Sequence, residues 1–169
     1  MALSLGGFVV AAMERDYDTA LEAIDRALSL SPSLSLAFGF SSIIRAWRGD
    51  TSLAVEHGRM AIRLSPHDPL IYLPYVGLAY AGFFDGDFAK AAAAAAQAAA
   101  SNPDFSVPRY LHAASTFRLG KIDEAKESAS ILMRLQPAFT VSGLVAGNIT
   151  DQRQMEPLAR ALLDVGLPE

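Results

Sequence analysis

The sequence predicts an all-α protein: a right-handed α-α superhelix of about four helix-turn-helix repeats, closed by a C-terminal capping helix. Three observations carry this. Pro32, Pro66, Pro103 and Pro137 lie 34, 37 and 34 residues apart, and each closes a stretch with helical apolar spacing. Twelve residues before these prolines stand Ala20, Ala54, Ala91 and Ala125, and five before them Ala27, Ala61, Ala98 and Leu132, small or apolar residues where two helices must approach closely. Ahead of each alanine a turn recurs: Arg15-Asp16-Tyr17-Asp18, Gly49-Asp50-Thr51-Ser52, Gly86-Asp87-Phe88-Ala89 and Gly120-Lys121-Ile122-Asp123. Glycine supplies the left-handed residue that ends one helix, and a nearby Asp, Ser or Thr can cap the next.

The elements follow in order. Met1 to Met13 is apolar like a signal peptide, but it starts with no Lys or Arg and no persuasive cleavage site follows, so a helix is expected there. Four units are expected, at 1–34, 35–68, 69–105 and 106–139, followed by a connection and capping helix at 140–169. Leu21, Ile24 and Leu28 give the first unit's second helix its apolar stripe, as Ile131, Leu132 and Leu135 do in the fourth. The third unit's extra residues are expected in Gly82-Phe83-Phe84-Asp85-Gly86, a longer aromatic turn that protrudes or packs on a neighbour. The alanine run from Ala91 to Ala100 reads as a tightly packed helix. Near the end, Asp151 and Gln154 offer a capping box, and Met155, Leu158, Ala159, Leu162 and Leu163 form one stripe. Gly166 and Pro168 supply the stop; Pro157 means that the last helix starts there, or starts near Gln152 and bends.

Composition narrows function. The chain has 169 residues, no cysteine and a formal charge of −4. Disulfides, thiolate zinc sites and cysteine nucleophiles are thereby excluded, and there is no basic footprint for nucleic acid. Mean hydropathy is +0.24, yet no apolar run reaches the length of a membrane span. Asp16, Asp50 and Asp87 share one repeat position beside a helix start and are expected to cap rather than bind metal. His57, His67 and His112 are scattered, without metal-ligand spacing, and no phosphate-loop, dinucleotide or nucleophile-elbow motif occurs. Asn148-Ile149-Thr150 fits a glycosylation acceptor, which matters only in a eukaryotic secretory route. No catalytic residue, cofactor or metal is expected.

These periodic features resemble the tetratricopeptide repeat, a helical hairpin of about 34 residues with small residues and a closing proline at these intervals. The match is specific on second helices and looser on first ones. The resemblance implies a concave groove lined by first helices that binds a protein or peptide, here with Leu36, Ile43, Trp47, Ile71, Leu78, Val107, Tyr110, Phe117 and Arg118 as its lining. Leu5, Val9 and Phe40 stand where chaperone-tail receptors of the family carry carboxylate-clamping side chains, so clamping of a C-terminal carboxylate is not expected. Trp47, Tyr110 and Phe117 are candidate anchors for an amphipathic helix or extended peptide, or else core residues; a charge at Trp47 or Phe117 would abolish capture with helicity retained in the first case and lose helicity in the second. Self-association into a dimer is the other expected partner mode.

A narrower resemblance rests on Ser65-Pro66-His67-Asp68-Pro69, Asn102-Pro103, Leu135-Gln136-Pro137-Ala138-Phe139-Thr140-Val141 and the closing Gly166-Leu167-Pro168-Glu169. These are similar to the C-terminal tetratricopeptide region of bacterial class III adenylate or guanylate cyclase-like proteins, although Ser142 to Ile149 departs from that pattern. The resemblance implies a cytoplasmic, non-catalytic interaction module of a signalling protein whose cyclase domain lies upstream or has been lost. The alternatives are a free-standing adaptor with no cyclase connection and, third, an enzyme with an unrecognised site.

Overall fold

A computed structural model describes residues 2–14, 16–147 and 152–169. The glycosylation acceptor at 148–150 and the Asp151 half of the capping box lie outside the described residues. Among those described there is no strand, and the helices are α1 (Ala2–Glu14), α2 (Tyr17–Leu30), α3 (Ser35–Arg48), α4 (Thr51–Leu64), α5 (Tyr72–Phe84), α6 (Phe88–Ser101), α7 (Val107–Arg118), α8 (Ile122–Leu135), α9 (Val141–Gly147) and α10 (Gln152–Val165). Each of α1, α3, α5 and α7 packs on the helix that follows it, and neighbouring hairpins stack through α1 on α3, α3 on α5 and α5 on α7. The result is a superhelix with one continuous core.

The repeating small residues sit at the closest contacts. Ala20, Ala54, Ala91 and Ala125 are all fully buried, and so are Ala61, Ala98 and Leu132. Alanine-rich α6 lies tight against α5, where a Cβ added at Gly82 would stand 3.0 Å from the Ala91 backbone nitrogen. The hairpin turns use the left-handed region at Gly49, Gly86 and Gly120, with φ of 94°, 77° and 76°, which a side chain would strain. Arg45 and Arg48 from the last turn of α3 reach back to Asp25 and Asp18 of α2 at 3.1 and 3.0 Å, ion pairs at the surface that fix orientation more than they stabilise.

The third unit departs from the sequence-based expectation. Gly82-Phe83-Phe84 is the last turn of α5 rather than a loop: Phe83 is buried, edge-on to Phe88 at 5.3 Å, and Phe84 stacks on Tyr80 at 5.8 Å. The added length lies instead ahead of α5, where residues 65–71 connect it to α4. Pro66 and Pro69 remove two backbone N–H donors from this stretch, and the Leu70 N–H donates to the Asp68 carboxylate at 2.8 Å, turning the chain locally.

Two of the three expected aspartate caps form. The Thr19 N–H donates to Asp16 at 3.0 Å and the Lys90 N–H to Asp87 at 3.1 Å; side-chain bonds from the Thr19 hydroxyl and the Lys90 ammonium, followed by these backbone bonds, hold both carboxyls below their ordinary pKa. Asp50 occupies the N-cap of α4 without a capping bond, its carboxylate standing 3.8 Å from Arg48 Nε instead. Asp16→Ala and Asp87→Ala are therefore expected to lower the thermal midpoint more than Asp50→Ala, a ranking readable by circular dichroism melting. Equal losses would show that the side-chain bonds contribute nothing.

At the C-terminus α10 begins at Gln152 and runs through Pro157. Its apolar stripe of Met155, Leu158 and Leu162 is buried against α7 and α8. Gly166, with φ 103°, ends it; the Leu167 N–H then returns to the Leu162 carbonyl, and the Val141 N–H to the Pro168 carbonyl at 2.8 Å. That last bond ties the chain end to the start of α9.

Candidate functional site

On the concave side, α1, α3, α5 and α7 converge with α9 around a pocket of about 460 Å³. Ile43 and Trp47 come from α3, Leu73, Val76 and Tyr80 from α5, and Val107 and Tyr110 from α7; Phe8 and Leu144 close it from the two ends. Among the described residues no Lys, Arg, His, Asp or Glu lines it. First helices supply the walls because their larger side chains point inward while second helices carry the alanines.

The pocket floor is an aromatic ladder. Phe8 stacks on Phe40 at 4.5 Å and leans on Trp47 at 5.9 Å; Trp47 meets Tyr80 edge-on at 6.1 Å; Tyr80 meets Tyr110 at 6.4 Å; and Tyr110 stacks on Phe139 at 6.1 Å. Such contacts favour one relative placement of the four hairpins, since the rings prefer offset or edge-to-face geometry. The Tyr80 and Tyr110 hydroxyls hydrogen-bond each other, and burial raises both phenol pKa values, that of Tyr110 the more. The indole of Trp47 is buried beside the Tyr80 hydroxyl, and its N–H works against the upward shift of that phenol.

Of the residues expected to line a groove, the structure brings Ile43, Trp47, Val107 and Tyr110 together in this pocket. Leu36 and Ile71 share a shallow cleft at its edge with Leu73 and Pro74. Leu78 points the other way, into an open trough of about 810 Å³ between α4 and α6. Phe117 is half-buried against the core, and the Arg118 guanidinium lies over the Phe88 ring at 4.8 Å. Trp47 and Tyr110 are themselves core residues, 7% and 5% exposed. A charge at Trp47 is therefore expected to cost the fold, which makes the half-buried Leu73 and Val107 the better probes of binding.

The pocket also has a partial roof that the sequence did not announce. Leu144 on α9 enters it, flanked by Gly143 and Gly147. Gln154 of α10 reaches the α3–α4 turn, where a Cβ at Gly49 would stand 2.5 Å from its amide nitrogen.

Behind the walls, two histidines brace hairpins. His57 of α4 bonds Ser41 of α3 at 2.9 Å, and His112 of α7 bonds Ser128 of α8 at 2.7 Å. Burial lowers both pKa values from 6.5, with Arg45 adding to the effect at His57 and Arg109 and Lys121 at His112, against opposition from nearby carboxylates. Because the unfolded chain takes up these protons first, stability is expected to fall as pH drops through about 6.5. Melting curves at pH 7.5 and 5.5 check this; a His57→Gln, His112→Gln variant should lose most of the dependence over that range. Among the described residues no group of three His, Asp or Glu is placed to hold a metal ion.

Together the stacked hairpins and the aromatic concave pocket define a helical-repeat protein with the tetratricopeptide solenoid fold. Solved structures agree. The chain superposes on the crystal structure of TTC0263, a thermophilic TPR protein of Thermus thermophilus, with a TM-score of 0.71 and 20% identity over 98% of this chain and 82% of that one. It matches YrrB, described as a TPR protein with an unusual peptide-binding site, with a TM-score of 0.62 and 13% identity over 98% and 86%. It matches MamA with a TM-score of 0.62 and 18% identity over 96% and 92%. No family model matches the sequence, and no curated protein matches it.

Proposed function

We propose that this chain is a non-catalytic protein-interaction module that captures an apolar segment of a protein or peptide on its concave face. The observation that carries the reading is the pocket of about 460 Å³, with aromatic and aliphatic walls and, among the described residues, no ionisable group but the paired tyrosines. Such a lining suits apolar anchors and offers nothing to clamp a carboxylate or run acid–base chemistry. The peptide-binding site named for YrrB, on the same fold, supports it by analogy. Leu73→Glu and Val107→Glu test it: each places a charge where an anchor would sit, on a side chain that is only half-buried. Loss of partner capture in a pull-down with unchanged circular dichroism is the expected result, and undiminished capture by both variants contradicts it.

The motifs at Ser65 to Pro69, Asn102-Pro103, Leu135 to Val141 and Gly166 to Glu169 further support a place as the C-terminal region of a bacterial cyclase-like signalling protein in the cytoplasm. No helix among the described residues is long and apolar enough to cross a membrane. Reading the gene upstream of Met1 tests the connection. A contiguous cyclase domain supports it; an isolated start with its own ribosome-binding site favours a free-standing adaptor.

A further inference from the structure

We propose that the paired tyrosines make the concave pocket selective for a carbonyl: beside its apolar anchor, the captured segment presents a carbonyl oxygen that accepts a hydrogen bond from the Tyr80–Tyr110 hydroxyls. The inference rests on the function proposed above and deepens it by naming the polar group that accompanies the anchor.

Proton counting carries the argument. The two hydroxyls bond each other, and that bond uses one of their two protons. Among the described residues neither hydroxyl has an acceptor other than its twin. The neighbouring indole N–H of Trp47 adds a third proton and no acceptor. Whichever way the pair is oriented, one O–H is left to spare. A buried donor without an acceptor is rare, because it has given up its bond to water and gained none in return.

The spare donor belongs to the pocket. Leu73, Val76 and Tyr80 fall at i, i+3 and i+7 along α5, and Val107 and Tyr110 at i and i+3 along α7, so each tyrosine shares a helix face with aliphatic residues of the wall. The other side chains that line the pocket are aliphatic or aromatic and carry no acceptor. The acceptor therefore has to arrive with the occupant. The same surroundings select its charge. Among the described residues no cation lines the pocket, and a carboxylate drawn between these walls would exchange its hydration for a bond from a neutral phenol. Burial keeps both phenols protonated, so the pair remains a donor at neutral pH. A neutral carbonyl, such as a peptide backbone carries, meets both conditions.

Two naphthalenes of nearly the same shape test this on the full chain: 2-acetylnaphthalene, which carries a carbonyl, and 2-isopropylnaphthalene, in which a methyl group stands in place of the oxygen. Isothermal titration calorimetry gives the ratio of their affinities for wild type, for Tyr110→Phe and for the double variant Tyr80→Phe, Tyr110→Phe, with circular dichroism to show that each is helical. Phenylalanine keeps each ring in the aromatic ladder. Wild type and the single variant should both favour the ketone, because one phenol without its twin still has a proton to give. The double variant should lose about tenfold of that preference. The C=O stretch of the bound ketone, read by infrared difference spectroscopy, should be lowered in wild type and return upward in the double variant. An unshifted stretch in wild type overturns the proposal without any variant. A pair that only joins α5 to α7 would change the melting temperature and leave the affinity ratio and the stretch where they were, which also overturns it. Binding of both naphthalenes at one ratio in every form removes the carbonyl and keeps the pocket, whereas binding of neither to wild type contradicts the pocket as well.

Discussion

Gly77→Val is expected to destabilise the chain by about 3 kcal/mol or more, the combined effect of overpacking and a disrupted buried hydrogen bond. Gly77 lies inside α5 where it crosses α3, and a Cβ there would stand 2.8 Å from Ser42 Cβ and 2.9 Å from the Ser42 carbonyl carbon. Ser42 cannot retreat freely, because it is fully buried and its hydroxyl donates to the Ala54 carbonyl of α4 at 2.7 Å. Gly58 approaches the same hydroxyl from α4, so three helices meet at one point with no slack. Urea unfolding of Gly77→Val against wild type reads the loss. Ser42→Ala alone should cost only about 1 kcal/mol, and Ser42→Gly combined with Gly77→Ala should cost less than Gly77→Ala alone. Wild-type stability in Gly77→Val would mean that α3 and α5 do not cross this closely.

Trp47→Ala is expected to cost about 3–5 kcal/mol, the range for truncating a large buried aromatic. Its ring joins the first three hairpins, touching Phe8 of α1 and Tyr80 of α5, and nothing nearby can fill the space it would leave without disturbing the aromatic ladder. Phe117→Ala should cost distinctly less, since that ring is only half-buried at the margin of the core. Thermal melts of the two variants decide the order. Trp47 is also the sole tryptophan, so its emission reports on the pocket directly: it should be blue-shifted in the folded chain and move to the red on unfolding.

The repeat was legible because its signals are local. Proline spacing, turn glycines and the alanines twelve residues before each proline all reflect backbone needs that one residue type meets, and the structure places those alanines at the closest helix contacts. Side-chain direction on the first helices was harder to read. α5 has no charged residue in Tyr72–Phe84, so no polar stripe fixes its rotation, and a register one residue off turns Leu78 from the pocket to the trough behind it. Leu73, Val76 and Tyr80 of the same helix line the pocket instead. The inserted length was assigned to the wrong side of α5 because Phe83 and Phe84 resemble loop aromatics until Phe88 is seen to cover Phe83. Ser41–His57 and Ser128–His112, both 16 residues apart, were visible only as scattered histidines, since pairing across a hairpin leaves no motif. The mid-helix glycines Gly58 and Gly77 were the one available signal of the α3–α4–α5 crossing.

Site-specific photocrosslinking measures the central claim most directly. A benzophenone side chain at position 107, on the concave wall, and another at position 93, on the trough behind, are introduced one at a time and irradiated in the source cell. Adducts with a partner from position 107 and none from position 93 are the predicted result. Adducts from position 93 alone would move the binding surface to the opposite face and contradict the account.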